Sequence, residues 1–231
     1  MKESSLQQFV CNEKLYYNRE RNNEKTQETK MTPSSAELFE SYKKLLLSVK
    51  VLNKKIFFVL LLFAISTAMG FYTAQSNPEW TKEIVNILAE NFVGLKGKSN
   101  SELWLYIFFN NVSVSAMIIA LFFLFGFAPI AALLSNGTMI GVVVAYSIEK
   151  IGGDSVFLAL IPHGLFEIPA FLIAAALSIH LSGKFLDYIR KVRKTFKKEL
   201  VFAIRIFFLV IVPLLFIAAI IETFLTPILV F

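Results

Sequence analysis

Residues 103–148 form a run of 46 residues without Asp, Glu, Lys, Arg or His, and this run constrains the fold more than any other feature of the chain. A transmembrane helix needs about 20 mostly apolar residues, so the run is too long for one membrane span and suits two. The whole chain is 56% hydrophobic and only 17% charged, whereas an ordinary soluble domain has about 25% charged residues. The sequence therefore predicts an integral membrane protein and excludes the soluble, collagen-like, disulfide-rich and wholly disordered classes.

The hydropathy pattern predicts an all-α bundle of about five transmembrane helices. The two spans within the long run separate near Gly126 and Pro129, residues that loosen a helix and permit a tight turn. Four spans with a re-entrant segment are the alternative. The predicted spans cover residues 56–75, 103–125, 127–148, 156–182 and 200–224.

The distribution of Lys and Arg predicts the orientation of the bundle. The first 55 residues hold 11 of these cations and segment 183–199 holds seven, whereas the two other connections hold three and one. Because cytoplasmic loops are enriched in Lys and Arg, we predict a cytoplasmic N-terminus and an external C-terminus. Residues 1–33 are polar and are predicted to form a mobile cytoplasmic tail. Residues 34–55 are predicted as an amphipathic helix that leads into the first span.

Two further segments are predicted as amphipathic helices at the membrane surface. The outer one starts after Asn77 and carries the apolar stripe Trp80, Ile84, Ile87, Leu88 and Phe92. The inner one covers residues 184–200, where cations surround an apolar face and attract anionic lipid. The cations predicted to face the lipid surface are Lys184, Arg190, Lys191, Arg193, Lys194, Lys197 and Lys198.

Polar side chains inside the predicted spans carry functional information, because they are costly in hydrocarbon. His163 and Glu167 are four residues apart and therefore share one face of a helix near the middle of the membrane. The predicted intramembrane polar network consists of Asn110, Asn111, Asn136, His163, Glu167 and Glu222. It is either a proton- or ligand-binding site or a set of interhelical hydrogen bonds. One His and one Glu at this depth are only two metal ligands, so we predict no metal and no cofactor.

Glycines and prolines within the spans are predicted to set the packing of the helices. Glycine lets two helix backbones approach closely, and proline bends a helix. The positions concerned are Gly126, Gly137, Gly141, Pro162, Gly164 and Pro169.

The order of these motifs along the chain resembles that of the stage II sporulation protein M family. The motifs are Phe109-Asn110-Asn111, Gly126, Asn136-Gly137 with Gly141, Pro162-His163-Gly164 with Phe166-Glu167-Ile168-Pro169-Ala170, and Ile221-Glu222 with Phe224 and Thr226-Pro227. The resemblance covers about residues 50–230, and Pro-His-Gly-x-x-Glu-x-Pro is its most specific element. It implies an integral membrane protein that, in endospore formers, acts as the membrane scaffold for two peptidoglycan-degrading partners. Similar proteins occur widely in bacteria and archaea that make no spores.

These observations predict a multi-pass protein of the prokaryotic plasma membrane that is not an enzyme. The first hypothesis is a scaffold that recruits or positions partner proteins for envelope or membrane remodelling. The alternative is a small transporter or channel component with a polar site around Glu167 and His163. The expected partners are the lipid bilayer and other membrane or envelope proteins, including a second copy of the chain, and not nucleic acid.

Overall fold

The computed structural model describes Glu40, Lys43 and residues 49–91, 97–192 and 194–230. Over these residues the chain is helical without strands, and five helices are long and apolar enough to cross a membrane. The prediction of an all-α, five-span protein is therefore confirmed. The five helices belong to one compact unit that starts at Val49. The predicted tail 1–33 and most of the predicted helix 34–55 lie outside the described residues.

The five spans are numbered 1 to 5 in chain order: Val49–Ser76, Asn100–Leu124, Phe127–Ile151, Gly153–Ile189 and Lys197–Ile228. Spans 1 to 4 contain α1 (Asn53–Ser76), α3 (Asn100–Ala120), α4 (Phe127–Ile151) and α5 (Gly153–Ile189), and α2 (Pro78–Asn91) lies between the first two spans. A 3-10 turn precedes α1 (Val49–Leu52) and another follows α3 (Leu121–Leu124). Span 5 consists of α6 (Lys197–Ile206), α7 (Val212–Ile220) and α8 (Thr226–Val230), joined by the π-helical turns Phe207–Ile211 and Ile221–Leu225.

The long charge-free run is divided where the sequence predicts a break. Phe125 and Gly126 adopt left-handed backbone conformations, with φ of 51° and 91°. Two such residues reverse the chain, and Gly126 adopts this conformation without the steric cost that a Cβ atom imposes. Spans 2 and 3 are therefore separated by a tight turn.

Spans 1 and 3 make the most extensive helix–helix contact in the described structure. A Cβ atom at Gly70 of α1 would collide with the backbone of Thr138. On α4, Gly137 faces the side chain of Ser66, and Gly141 faces the backbone between Thr67 and Phe71. Helices in membranes associate through such small residues, because the backbones then pack closely. A Cβ atom at Gly137 or Gly141 would thus clash with span 1, whereas one at Gly164 would only reach Ile168 Cδ1 at 3.6 Å. The packing role of these glycines stays a prediction.

Span 4 is central to the bundle and contacts each of the other four spans. Its segment 174–177, Ala-Ala-Ala-Leu, is completely buried. Two buried hydroxyls fix span 4 to span 2, since Ser178 donates to the Ile118 carbonyl and Ser182 to the Phe122 carbonyl, both at 2.7 Å. Small side chains and hydroxyl-to-carbonyl bonds therefore provide the adhesion that the hydrophobic effect does not supply between helices in lipid.

The prediction of a single amphipathic helix over residues 184–200 is wrong. Helix α5 continues to Ile189, the chain turns through Lys191 (φ 58°), and α6 begins only at Lys197. Two of the periodic apolar residues of this segment, Phe185 and Phe196, pack inward, each with its ring centroid 5.2 Å from that of Phe122. The other three, Ile189, Val192 and Leu200, are exposed. A turn between two spans thus carries an apolar periodicity that is typical of a surface helix.

The predicted lipid-facing cations lie at this turn and at the helix ends beside it. Lys184 is half-buried on α5, 3.9 Å from Asp187. The other described members, Arg190, Lys191, Lys194, Lys197 and Lys198, are exposed, and Arg193 lies outside the described residues. Their binding to lipid stays a prediction.

Helix α2 begins at Pro78, as predicted for the outer amphipathic segment. Ile84 packs against the cluster formed by Ala74, Val142 and Ala145, whereas Trp80 and Ile87 are exposed. One part of the predicted stripe therefore contacts spans 1 and 3, and the other part is available to the membrane surface. Phe92 lies outside the described residues.

Candidate functional site

Helix α5 presents His163 and Glu167 one turn apart, between two prolines. Pro162 precedes His163 directly, and Pro169 follows Glu167 by two residues. A proline lacks the backbone N–H of a regular helix and clashes with the carbonyl four residues earlier. At 1.5 Å per residue, the two side chains attach about 15 and 21 Å from Gly153, the start of α5. They therefore belong to the interior of a hydrocarbon layer about 30 Å thick.

Glu222 approaches from span 5, within the π-helical turn Ile221–Leu225. Pro227 follows this turn by two residues and has no backbone N–H to donate to a carbonyl of the helix. The hydroxyl of Thr226 instead donates to the Ile221 carbonyl at 3.3 Å. A π-helical turn inserts one extra residue, and such turns are frequent at functional sites. Span 4 thus carries two prolines around the site, and span 5 carries a π-helical turn at it.

Spans 4 and 5 bring His163, Glu167 and Glu222 together into what we call the mid-span cluster. One ring nitrogen and one oxygen from each carboxyl group lie within 4.8 Å of one another. All three residues are half-buried. The Ala159 carbonyl lies close to the His163 ring, yet the buried Nδ1 atom completes no hydrogen bond within the described structure. The same is true of the buried hydroxyl of Thr223, next to Glu222.

The mid-span cluster contains more acid than base. Two ionised carboxylates opposite a single imidazole would leave the site negatively charged, and uncompensated charge within a membrane costs several kcal/mol. The arrangement therefore suits a bound cation, either a proton shared between the carboxyl groups or a metal ion. Its three side chains are all ligand types that first-row transition metals accept.

The hydrogen bonds that the described structure gives the three predicted asparagines do not involve this cluster. Asn110 is exposed and donates to the amide oxygen of Asn111 at 3.4 Å. Asn136 is also exposed and donates to the Ala132 carbonyl of its own helix at 2.9 Å. Three members of the single predicted network thus form a cluster between helices, whereas Asn110 and Asn136 are exposed on spans 2 and 3 and Asn111 is half-buried. Depth along a span is readable from the sequence, whereas the side of the helix that meets a neighbour depends on packing.

A second histidine–glutamate contact, which the sequence analysis did not identify, joins span 4 to the start of span 5. His180 Nε2 lies 3.0 Å from Glu199 Oε2, and the two side chains are 5% and 19% exposed. His180 lies near the end of one apolar run, and Glu199 follows two lysines directly before another. No spacing rule pairs two residues on different helices, so the contact itself requires the structure.

Comparison with known proteins agrees with the order of motifs along the chain. The sequence profile of the family described as stage II sporulation protein M matches residues 59–227. An uncharacterized protein of Methanocaldococcus jannaschii is 28% identical over 170 residues, which cover 69% of this chain and 74% of that protein. No solved structure matches the chain. The matched segment contains the whole mid-span cluster and all three asparagines.

Proposed function

This chain belongs to the stage II sporulation protein M family, and from that premise we propose that it is a non-enzymatic scaffold of the prokaryotic plasma membrane. It positions partner proteins for envelope or membrane remodelling. The resemblance supports this role, because family members in endospore formers act with two peptidoglycan-degrading partners. The bundle supports it through the placement of its polar residues.

The observation that carries the proposal is the exposure of polar side chains in the middle of spans 2 and 3. Asn110 lies about 15 Å from the start of span 2, and Asn136 about 14 Å from the start of span 3. Both side chains are exposed, as is Ser113, one turn beyond Asn110. Lipid tails offer no hydrogen bonds at this depth, so an amide that faces outward favours contact with another protein helix.

Span 2 adds to this argument because most of its surface is free. In α3 only Ser115 and Ile118 are buried, and span 2 buries the smallest share of the five. Because so little of span 2 is buried within its own chain, its outer side can accommodate a partner helix. A partner protein or a second copy of the chain fits this surface.

The proposal is tested by purifying the tagged full-length protein from native membranes and measuring what remains bound. The variant carries Asn110→Leu and Asn136→Leu together, and the control carries Phe109→Leu and Leu134→Met at neighbouring exposed positions. Each interhelical polar contact contributes about 0.6–2 kcal/mol. We therefore expect the variant to retain about tenfold less envelope partner or second copy, with unchanged thermal stability. Equal recovery from variant and control would contradict the scaffold surface.

A small transporter or channel component is the second candidate, and the mid-span cluster favours it. Ionisable groups at membrane depth are typical of ion pathways and proton relays. If the cluster carries protons, Glu167→Gln in proteoliposomes abolishes a proton flux while the protein stays folded. If neither the wild-type protein nor the variant shows flux under a pH gradient, the transporter candidate is eliminated.

A further inference from the structure

We propose that His163, Glu167 and Glu222 bind a divalent transition-metal ion of the zinc type between spans 4 and 5. The proposal goes beyond the scaffold function and does not depend on it. The sequence alone indicates only His163 and Glu167 as ligands at this depth. The structure adds Glu222 from the other helix and completes a set of three.

The spacing of the three ligand atoms is close to what a zinc ion requires. Zinc binds nitrogen and oxygen at about 2.0–2.2 Å, so two ligand atoms in a tetrahedral site are roughly 3.4 Å apart. In the mid-span cluster the corresponding atoms lie within 4.8 Å of one another. Rotation of the two glutamate side chains closes this difference without movement of the helices. Three protein ligands leave a fourth position open for water or another ligand, as in many zinc sites.

Charge favours a divalent cation over a single shared proton. Two ionised carboxylates and a neutral imidazole carry two negative charges, which one divalent ion neutralises. One shared proton leaves a net negative charge unless the imidazole is also protonated. Because uncompensated charge in the membrane interior is costly, the neutral metal complex is favoured over the singly protonated cluster.

An unsatisfied ring nitrogen at the cluster supports a bound ion alongside the geometry. Buried polar atoms in native proteins normally have a hydrogen-bond partner, yet His163 Nδ1 has none among the described residues, and the same holds for His180 Nδ1 at the other histidine–glutamate contact. A histidine that binds metal through one ring nitrogen usually donates through the other to a carbonyl or carboxylate. The Ala159 carbonyl lies close to the His163 ring and can accept this bond. Metal binding thus orients the ring so that both of its nitrogens are used.

The test measures zinc binding to the full-length protein in detergent after chelator treatment. Zinc is titrated in competition with a fluorescent chelator, and we expect one high-affinity zinc ion per chain. Loss of an outer hydrogen-bond partner of a ligand commonly weakens metal binding 10–100-fold. Glu167→Gln and Glu222→Gln each remove a ligand, so both should weaken binding by about 100-fold or more. Zinc should also raise the unfolding temperature of the wild-type protein and leave that of Glu222→Gln unchanged.

Two further variants keep the proposal falsifiable if Glu222→Gln folds poorly. Glu199→Gln disrupts the other histidine–glutamate contact and should bind zinc as the wild-type protein does. Glu222→His replaces one zinc ligand with another and should retain binding within about tenfold of wild type. The proposal is overturned if the stripped wild-type protein binds no stoichiometric zinc, if Glu222→Gln binds as wild type, or if Glu199→Gln abolishes binding.

Discussion

The mid-span cluster and the His180–Glu199 pair use the same two kinds of side chain at two places on α5, but in different proportions. At the pair, one imidazole meets one carboxylate at 3.0 Å, and Lys55 and Lys184 contribute positive charge nearby. At the cluster, one imidazole meets two carboxyl groups. A matched pair fixes two helices to each other, whereas an excess of acid leaves a place for a cation. The proportion of acid to base, more than the residue types, separates a structural contact from a candidate binding site.

The local backbone also differs between the His180–Glu199 pair and the mid-span cluster. The His180–Glu199 pair connects a regular part of α5 with the first turn of α6. The cluster lies between Pro162 and Pro169 on one helix and within a π-helical turn on the other. Regular helices hold the pair in one geometry, whereas the prolines and the π-helical turn depart from the regular backbone hydrogen-bond pattern at the cluster.

The largest expected effect is in cysteine labelling, which reports the orientation of the bundle in the membrane. With Cys11 replaced by Ser, we expect Glu90→Cys to be labelled by an impermeant thiol reagent in intact cells and Thr195→Cys to be protected. This follows from the Lys and Arg distribution and places the His180–Glu199 pair near the cytoplasmic surface. Labelling at residue 195 from outside, with protection at residue 90, would show that the bundle has the opposite orientation to the predicted one.

The next effect is on stability at the matched pair. His180→Ala should lower the free energy of unfolding in detergent by about 2 kcal/mol, because it removes a mostly buried hydrogen bond to a carboxylate. Chemical unfolding followed by tryptophan fluorescence measures the change. His163→Ala serves as the control, and we expect a smaller loss there because the cluster retains two carboxyl groups that can share a proton. An equal loss from both variants would remove the distinction between the two places.

Glu167 provides a test within the cluster. Glu167→Ala should destabilise the protein by about 1–3 kcal/mol, since its partners are left unsatisfied. Glu167→Gln keeps a donor and an acceptor and should remain near wild type in metal-free protein. Thermal unfolding in detergent compares the two. Unchanged stability of the alanine variant would mean that Glu167 faces an aqueous cavity.

The smallest expected effect is a change in stability on replacing a single glutamate by glutamine, and its sign is informative. In metal-free protein, Glu222→Gln removes one of two neighbouring carboxyl groups and should change stability by less than about 1 kcal/mol, towards higher stability. Glu199→Gln should lower stability, because it weakens a charge-assisted hydrogen bond. The two variants make the same chemical change, so opposite signs distinguish excess acid from matched acid. A stability loss of similar size in both would show that Glu222 also has a structural partner.

Much of the fold could be predicted from the sequence because the membrane imposes simple length and polarity rules. The five spans, the break at Gly126 and the close contacts at Gly137 and Gly141 all follow from local patterns. The segment 184–200 shows where such patterns are insufficient. Its apolar residues recur at helical spacing, but Phe185 lies on α5, Phe196 lies in the turn before α6, and the two meet at Phe122.

The residues of the candidate site could be predicted from the sequence, but which of them lie together could not. His163 and Glu167 are close in sequence, and their shared helix face follows from their spacing. Glu222 is 55 residues beyond Glu167, and its approach depends on a π-helical turn that shifts the helix register. Asn136 lies at a suitable depth but on the outer side of span 3. Neither the register shift nor the rotation of a span about its axis leaves a clear signal in one sequence.

The close contact between spans 1 and 3 has a consequence for biosynthesis. Ser66 donates to the Leu133 carbonyl, 67 residues further along the chain. At a translation rate of about 5–20 residues per second, span 1 waits roughly 3–13 s in the bilayer before its partner surface is synthesised. During this interval the hydroxyls of Ser66 and Thr67 can both donate to the Phe63 carbonyl of their own helix. The first span can therefore enter the membrane alone with these hydroxyls satisfied and exchange part of that bonding for span 3 when it arrives.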